Sequence, residues 1–197
     1  MTPDLQQEFR MLSEAAEQRL KNVAASEGYR QVFSVWIMPS FSPSFRWTVF
    51  SPTSCAKGSW PFASYSVWRS DLDWQKFASP VERLRHPKDL APTIEDERVW
   101  LTPDVTQDFE QRIRAISIPF FLRSPSFAGC DGTRFEFHYD ELLFGGSIHW
   151  WEDHPEEWRP FTEAVAKIVI DLDNRRKLKV QPGTSGVIDE PPSVADR

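Results

Sequence analysis

Two histidines and two carboxylates lie close together in the C-terminal third of the chain: Glu136, His138, Asp140 and His149. Imidazole nitrogen and carboxylate oxygen are the donors a zinc ion takes when it keeps one position open for water. Gathered on one surface, these four side chains would make the centre of a metal-dependent hydrolase. The same residue types also line ordinary wet sheet faces, where Glu and Asp beside His form weak pairs and do no chemistry. The elements that carry them decide between the two.

Arg134 to Asp140 alternates strictly, with Phe135, Phe137 and Tyr139 on one side and Arg134, Glu136, His138 and Asp140 on the other, as in a half-buried strand. Ser147 to Glu152 reads as the return arm, and Gly145-Gly146 supplies the permissive backbone of a turn. Pairing Tyr139 with Ile148 and Phe137 with Trp150 puts the apolar sets on one face. That register places His138 opposite His149, flanked by Glu136, Asp140, Ser147 and Trp151. The helix that follows is expected to start at Asp153, whose carboxylate would cap Glu156, with Pro155 in the first turn. Trp158, Phe161, Val165, Ile168 and Leu172 then recur at steps of three and four, a stripe that must face a core or a sheet. His154 belongs to the helix entry.

This stretch, from Asp131-Gly132-Thr133 through Trp150-Trp151 to Pro155-Glu156-Glu157-Trp158-Arg159-Pro160-Phe161, resembles an element found in an uncharacterised group of bacterial proteins. The resemblance implies a folding unit and a bacterial source. It carries no activity and assigns no catalytic residue.

Other chemistry finds less support. Asp71, Asp73, Glu95, Asp96 and Glu97 are carboxylates of the kind that magnesium-dependent phosphodiester chemistry uses, although helix capping by Asp71 and solvation account for them better. The sequence contains no Gly-x-Ser-x-Gly elbow, Walker loop or Gly-x-Gly-x-x-Gly, so no cofactor is expected. Cys55 and Cys130 make neither a metal spacing nor a disulfide framework. Nine tryptophans are unusual for 197 residues, and Trp150 and Trp151, being adjacent, cannot both point inward from one strand. A Trp151 turned away from the core would be an interface anchor unless a helix covers it.

The rest of the chain supplies the scaffold. Thr2 to Glu27 forms a helix with one narrow stripe (Leu5, Phe9, Leu12, Ala16, Leu20, Val23), suited to lying across a sheet or to zipping to a second copy through residues 2–27. Gln31 to Met38, Phe45 to Phe50 and Phe62 to Trp68 read as a meander with apolar residues on both faces. Ser70 to Pro92 is an irregular helical excursion, Glu97 to Leu101 a short strand, and Pro103 to Ile116 a helix capped by Thr102. Ile118 to Phe121 is extended, and 180–197, rich in proline, glycine and charge, is a disordered tail after a single domain spanning 1–179. The fold class is therefore α+β: an antiparallel sheet, meander plus C-terminal hairpin, flanked by an N-terminal, a middle and a C-terminal helix.

A net charge of −6 argues against a nucleic-acid binder. No apolar segment has signal-peptide or membrane-spanning form, so a cytoplasmic protein with no membrane partner is expected. The first expectation for function is a non-enzymatic protein-binding domain, immunity- or adaptor-like, that contacts another protein through Trp151, His138, His149, Glu136 and Asp140. The alternative is the metal-dependent hydrolase built from His138, His149, Glu136 and Asp140.

Overall fold

The computed structural model describes residues 3–21, 28–40, 42–54, 59–79, 81, 91–116, 132–141 and 144–179. In chain order these form α1 (Pro3–Lys21), β1 (Tyr29–Pro39), β2 (Phe45–Pro52), β3 (Phe62–Trp68), α2 (Ser70–Ala78), β4 (Ile94–Trp100), α3 (Pro103–Arg114), β5 (Thr133–Glu141), β6 (Phe144–Trp151), a single 3-10 turn (Glu156–Trp158) and α4 (Arg159–Lys179). The strands make one antiparallel sheet in the order β4-β3-β2-β1-β5-β6. The first four strands are a meander, and the C-terminal hairpin adds to it along β1. The fold is α+β with helices flanking the sheet, as the pattern of elements implied.

Period-two alternation gives the sheet two apolar faces. On the first, Phe33, Val35, Trp47, Val49, Ala63 and Phe137 meet Phe109 and Ile113 of α3 and Phe161, Val165, Ile168 and Leu172 of α4 in one buried cluster. A register shift between Gln31 and Phe33 lets Val32 join that cluster beside Phe33. Polar ties hold α4 down: the Trp47 indole donates to Asp173 at 3.2 Å, and Arg112 of α3 pairs with Asp171 at 2.7 Å. On the second face, Ala16 and Leu20 of α1 pack on Trp36 and Trp68. The N-terminal helix thus lies across the sheet. Its C-terminal carbonyls, orphaned by helix geometry, receive the buried Arg46 guanidinium: Nη1 donates to Leu20 O at 2.6 Å and Lys21 O at 2.8 Å, and Nη2 to Ser34 at 2.7 Å.

Several local expectations hold and several do not. Thr102 caps α3, accepting from the Val105 N–H. Asp71 does not cap α2, because Arg69 stands at the cap position and takes the Asp71 carboxylate through two hydrogen bonds, at 3.0 and 2.9 Å. Nor does Asp153 cap the last helix. Pro155 leads a 3-10 turn that has no side-chain cap, and α4 begins only at Arg159. The β5–β6 register differs by two residues from the expected one: Phe135 opposes Trp150, Phe137 opposes Ile148 and Tyr139 opposes Gly146. Because side chains alternate with period two, a slip of two keeps every apolar residue on its face, so hydrophobic pattern alone cannot exclude it. The ladder closes at Glu141 opposite Phe144, which moves Gly145 and Gly146 out of the turn and into β6. Cys55, Cys130, residues 22–27, Ile118 to Phe121 and the 180–197 tail lie outside the described residues.

Candidate functional site: the two faces of the C-terminal hairpin

On the first face, Phe135 and Trp150 stack as a cross-strand pair, ring centroids 5.3 Å apart and 7° from parallel, and Phe161 of α4 meets the Trp150 ring edge-on at 5.2 Å. Beside this stack, between the sheet and α4, lies a cleft of about 350 Å³. Its floor is Val35, Phe135 and Trp150, and one wall is a row of α4 residues four apart, Thr162, Ala166 and Ile170. Ala166 is small, which leaves the space. Glu152, Glu163 and His154 add polar groups to this apolar lining. His154 is held on both nitrogens, by the Pro155 carbonyl at 3.1 Å and the Thr162 hydroxyl at 3.0 Å. A carbonyl only accepts, so Nδ1 carries a proton. His154 does belong to the helix entry, and it orients one wall of the cleft.

The second face carries the residues that the sequence singled out. His149 opposes Glu136, His138 opposes Ser147, and Asp140 opposes Gly145. The two imidazoles are therefore diagonal neighbours rather than partners. Asp140 is exposed, with Oδ1 3.4 Å from where a side chain on Gly145 would begin, so that glycine allows a close approach. Trp150 is buried, and Trp151 is turned to the second face, half-buried opposite Arg134.

His149 Nδ1 lies 3.4 Å from Glu136 Oε2, and its Nε2 lies 3.4 Å from the Ser147 hydroxyl. The Glu136 oxygen is buried and completes no hydrogen bond, since the His149 contact meets a distance but not a direction. Beyond it, two strands over, is Arg46: burial depresses its basicity, and the Glu136 charge works against that depression. The row His149, Glu136, Trp36, Arg46 thus runs from an open imidazole to a buried guanidinium. Among the described residues no three His, Cys, Asp or Glu side chains are placed to hold one metal ion.

No family model, curated protein or solved structure matches this chain.

Four of the five carboxylates of α2 and β4, all but Asp96, have partners within the fold. Asp73 is buried and accepts from the Trp68 indole at 2.8 Å, the Thr93 N–H at 2.8 Å and the Thr93 hydroxyl, so it ties α2 to the chain entering β4. Asp71 and Glu95 share Arg69, and Glu97 leans toward Arg176 at 3.9 Å. A second, larger cleft of about 600 Å³ opens beside α1 and α2, with Phe9, Trp68 and Trp74 against a run of serines. Sequence reading missed the cleft under α4. Its signal was present in the spacing of Thr162, Ala166 and Ile170 along the flank of the apolar stripe.

Proposed function

We propose that the chain is a protein-binding domain that acts by stoichiometric contact, in the manner of an immunity or adaptor factor, with the C-terminal hairpin and the cleft under α4 as its contact surface. The observation that carries this reading is the cleft: an apolar slot floored by Trp150 and Phe135, with Glu152 and Glu163 among its lining and Ile170 56% exposed beside it. Slots of this make accept an apolar anchor and favour a cation next to it. A net charge of −6 adds the same preference at longer range. Two cysteines without a framework suit a reducing cytoplasm. Filling the slot is the test. Ala166→Phe should leave the melting temperature near that of the parent and abolish recovery of a partner that wild type retains stoichiometrically. Equal recovery by both proteins would remove the cleft from the account.

A hydrolytic reading is favoured by one observation, the order Ser147 hydroxyl, His149 imidazole, Glu136 carboxylate, which is the connectivity of a nucleophile, a base and its orienting group. The Ser147 link is at the long limit of hydrogen bonding, and the Glu136 link is a 3.4 Å contact without hydrogen-bond direction. A fluorophosphonate that labels wild type at Ser147, and fails to label His149→Ala, would establish this reading. An unlabelled wild type would end it. The metal version requires about one bound zinc per chain in protein purified without metal affinity, read by elemental mass spectrometry.

A further inference from the structure

The sheet ends in two described edges, β4 and β6, and the ladders say which backbone groups each edge presents. Glu152 N–H donates to Thr133 O at 2.9 Å, so the residues of β6 in step with it, Trp150, Ile148 and Gly146, turn their N–H and C=O groups toward β5. Gly145, Ser147, His149 and Trp151 therefore turn theirs outward, away from the sheet. At the other end Leu101 N–H donates to Pro61 O at 2.9 Å, which leaves Asp96 and Arg98 facing out from β4.

The two edges are guarded differently. Four consecutive residues of β4, Glu95, Asp96, Glu97 and Arg98, are charged, and Arg69 reaches Glu95 at 2.8 Å. Charged side chains are a standard means of keeping a sheet edge from pairing with another chain. The β6 sequence Phe-Gly-Gly-Ser-Ile-His-Trp-Trp has no Asp, Glu, Lys, Arg or Pro. An unguarded edge beside an apolar cleft is a template for an added strand.

What surrounds β6 selects the occupant. From Phe144 to Trp158 the chain contains Glu152, Asp153, Glu156 and Glu157 and no Lys or Arg; Arg159 pairs with Glu156 at 3.5 Å and Arg134 stands opposite Trp151, so a smaller acidic surplus remains at this edge. A second copy docked on this edge would set these acidic residues against themselves, whereas a basic strand would be drawn in. Side chains of an added strand fall alternately on the two faces. One set would lie beside Ile148 and Trp150, and the other beside His149 and the incompletely bonded carboxylate of Glu136.

We propose that β6 is a receptor edge for an extended segment of a partner protein that is apolar at alternate positions and carries Lys or Arg between them. This inference rests on the binding reading above and names its mode. The probe is a synthetic ten-residue peptide alternating valine and lysine, followed by fluorescence anisotropy, with an analogue N-methylated at alternate residues. The peptide should bind wild type, and N-methylation in the register that faces β6 should weaken it at least about tenfold, the value of one or two backbone hydrogen bonds. Ser147→Pro removes an outward N–H that no other described residue accepts, and should lower affinity to a similar extent with an unchanged circular dichroism spectrum. Should that variant fold poorly, Ser147→Lys closes the edge through charge alone and should have the same effect. Binding that is indifferent to N-methylation and to both variants would overturn edge addition while leaving the binding reading to its own Ala166→Phe test. Absence of peptide binding at millimolar concentration, or a wild-type dimer in sedimentation that Ser147→Lys dissociates, would overturn it as well.

Discussion

At one end of the sheet, β4 carries Glu95, Asp96, Glu97 and Arg98 and is bound into ion pairs from α2 and α4; at the other, β6 carries glycine, serine, histidine and tryptophan and no fixed charge. Both strands end the sheet among the described residues, and a sheet edge turns a row of backbone groups toward any other chain. Only one of them is defended. The difference shows that the character of an edge is set by its side chains rather than by topology, and it is the contrast on which the proposed recognition role of the C-terminal hairpin rests. The same contrast runs across the second face. Under α1 that face is closed by Trp36, Trp68 and the Arg46 guanidinium, while over the hairpin it stays open around His149.

The largest expected effect separates inward from outward backbone on β6. Ile148→Pro deletes a ladder bond to β5 and sets a ring against it, and should cost about 3 kcal/mol or more in urea denaturation. Ser147→Pro, one residue away, should stay within about 1 kcal/mol of wild type because its N–H points out of the sheet. Equal losses would mean that the outward row is not free, and the comparison of edges would fail.

Arg46→Ala comes next, at the border between the closed and open halves of the second face. It leaves the Leu20 and Lys21 carbonyls and the Ser34 hydroxyl without their donor and the Glu136 charge without its buried counterpart, and should cost about 2–3 kcal/mol. A melting temperature unchanged from wild type would show that water serves these groups equally well.

Exchanging the character of the edges gives a smaller change in stability and a sharp one in association. Ser147→Lys and Asp96→Val are both surface changes and should each stay within about 0.5 kcal/mol. The first should weaken the valine-lysine peptide about tenfold. The second should add concentration-dependent self-association in sedimentation velocity beyond any that wild type shows.

The smallest effect concerns the ion pairs that guard β4. Hydrogen bonds from Arg69 hold the Asp71 carboxyl below its ordinary value of 3.8. A carboxylate with a depressed folded pKa stabilises fully above its unfolded value, and that contribution disappears as pH falls through the folded one. Asp71→Asn should therefore leave the neutral-pH melting temperature almost unchanged, since the group is fully exposed, and should flatten the acid limb of the stability curve below about pH 4. An acid limb as steep as that of wild type would assign the pairing no thermodynamic role.

How much of this was legible in the sequence depends on the period of the pattern carrying it. The stripe Trp158, Phe161, Val165, Ile168 and Leu172 and the alternation of Phe135, Phe137 and Tyr139 fixed α4 and β5 and their buried faces. The β5–β6 register was not legible, because both candidates satisfy the same alternation and glycine pairs usually mark turns. Here the glycines lie within the strand beside Asp140 and Tyr139. Helix starts were legible at Thr102 and misleading at Asp71 and Asp153, where an arginine and a proline took the positions that isolated capping rules would assign. Of the four residues read as a metal constellation, Glu136 and His149 meet, whereas His138 and Asp140 face Ser147 and Gly145. The buried Arg46 gave no sequence signal at all, since only the arrival of the α1 C-terminus over β2 gives it partners.

Amide hydrogen exchange, resolved residue by residue with and without the alternating valine-lysine peptide, tests the central contrast most directly. The account predicts that the outward amides of Ser147, His149 and Trp151 exchange quickly in the free protein and become protected when the peptide is bound, while those of Asp96 and Arg98 on β4 do not change. Protection that appears equally at both edges, or at neither, would contradict it.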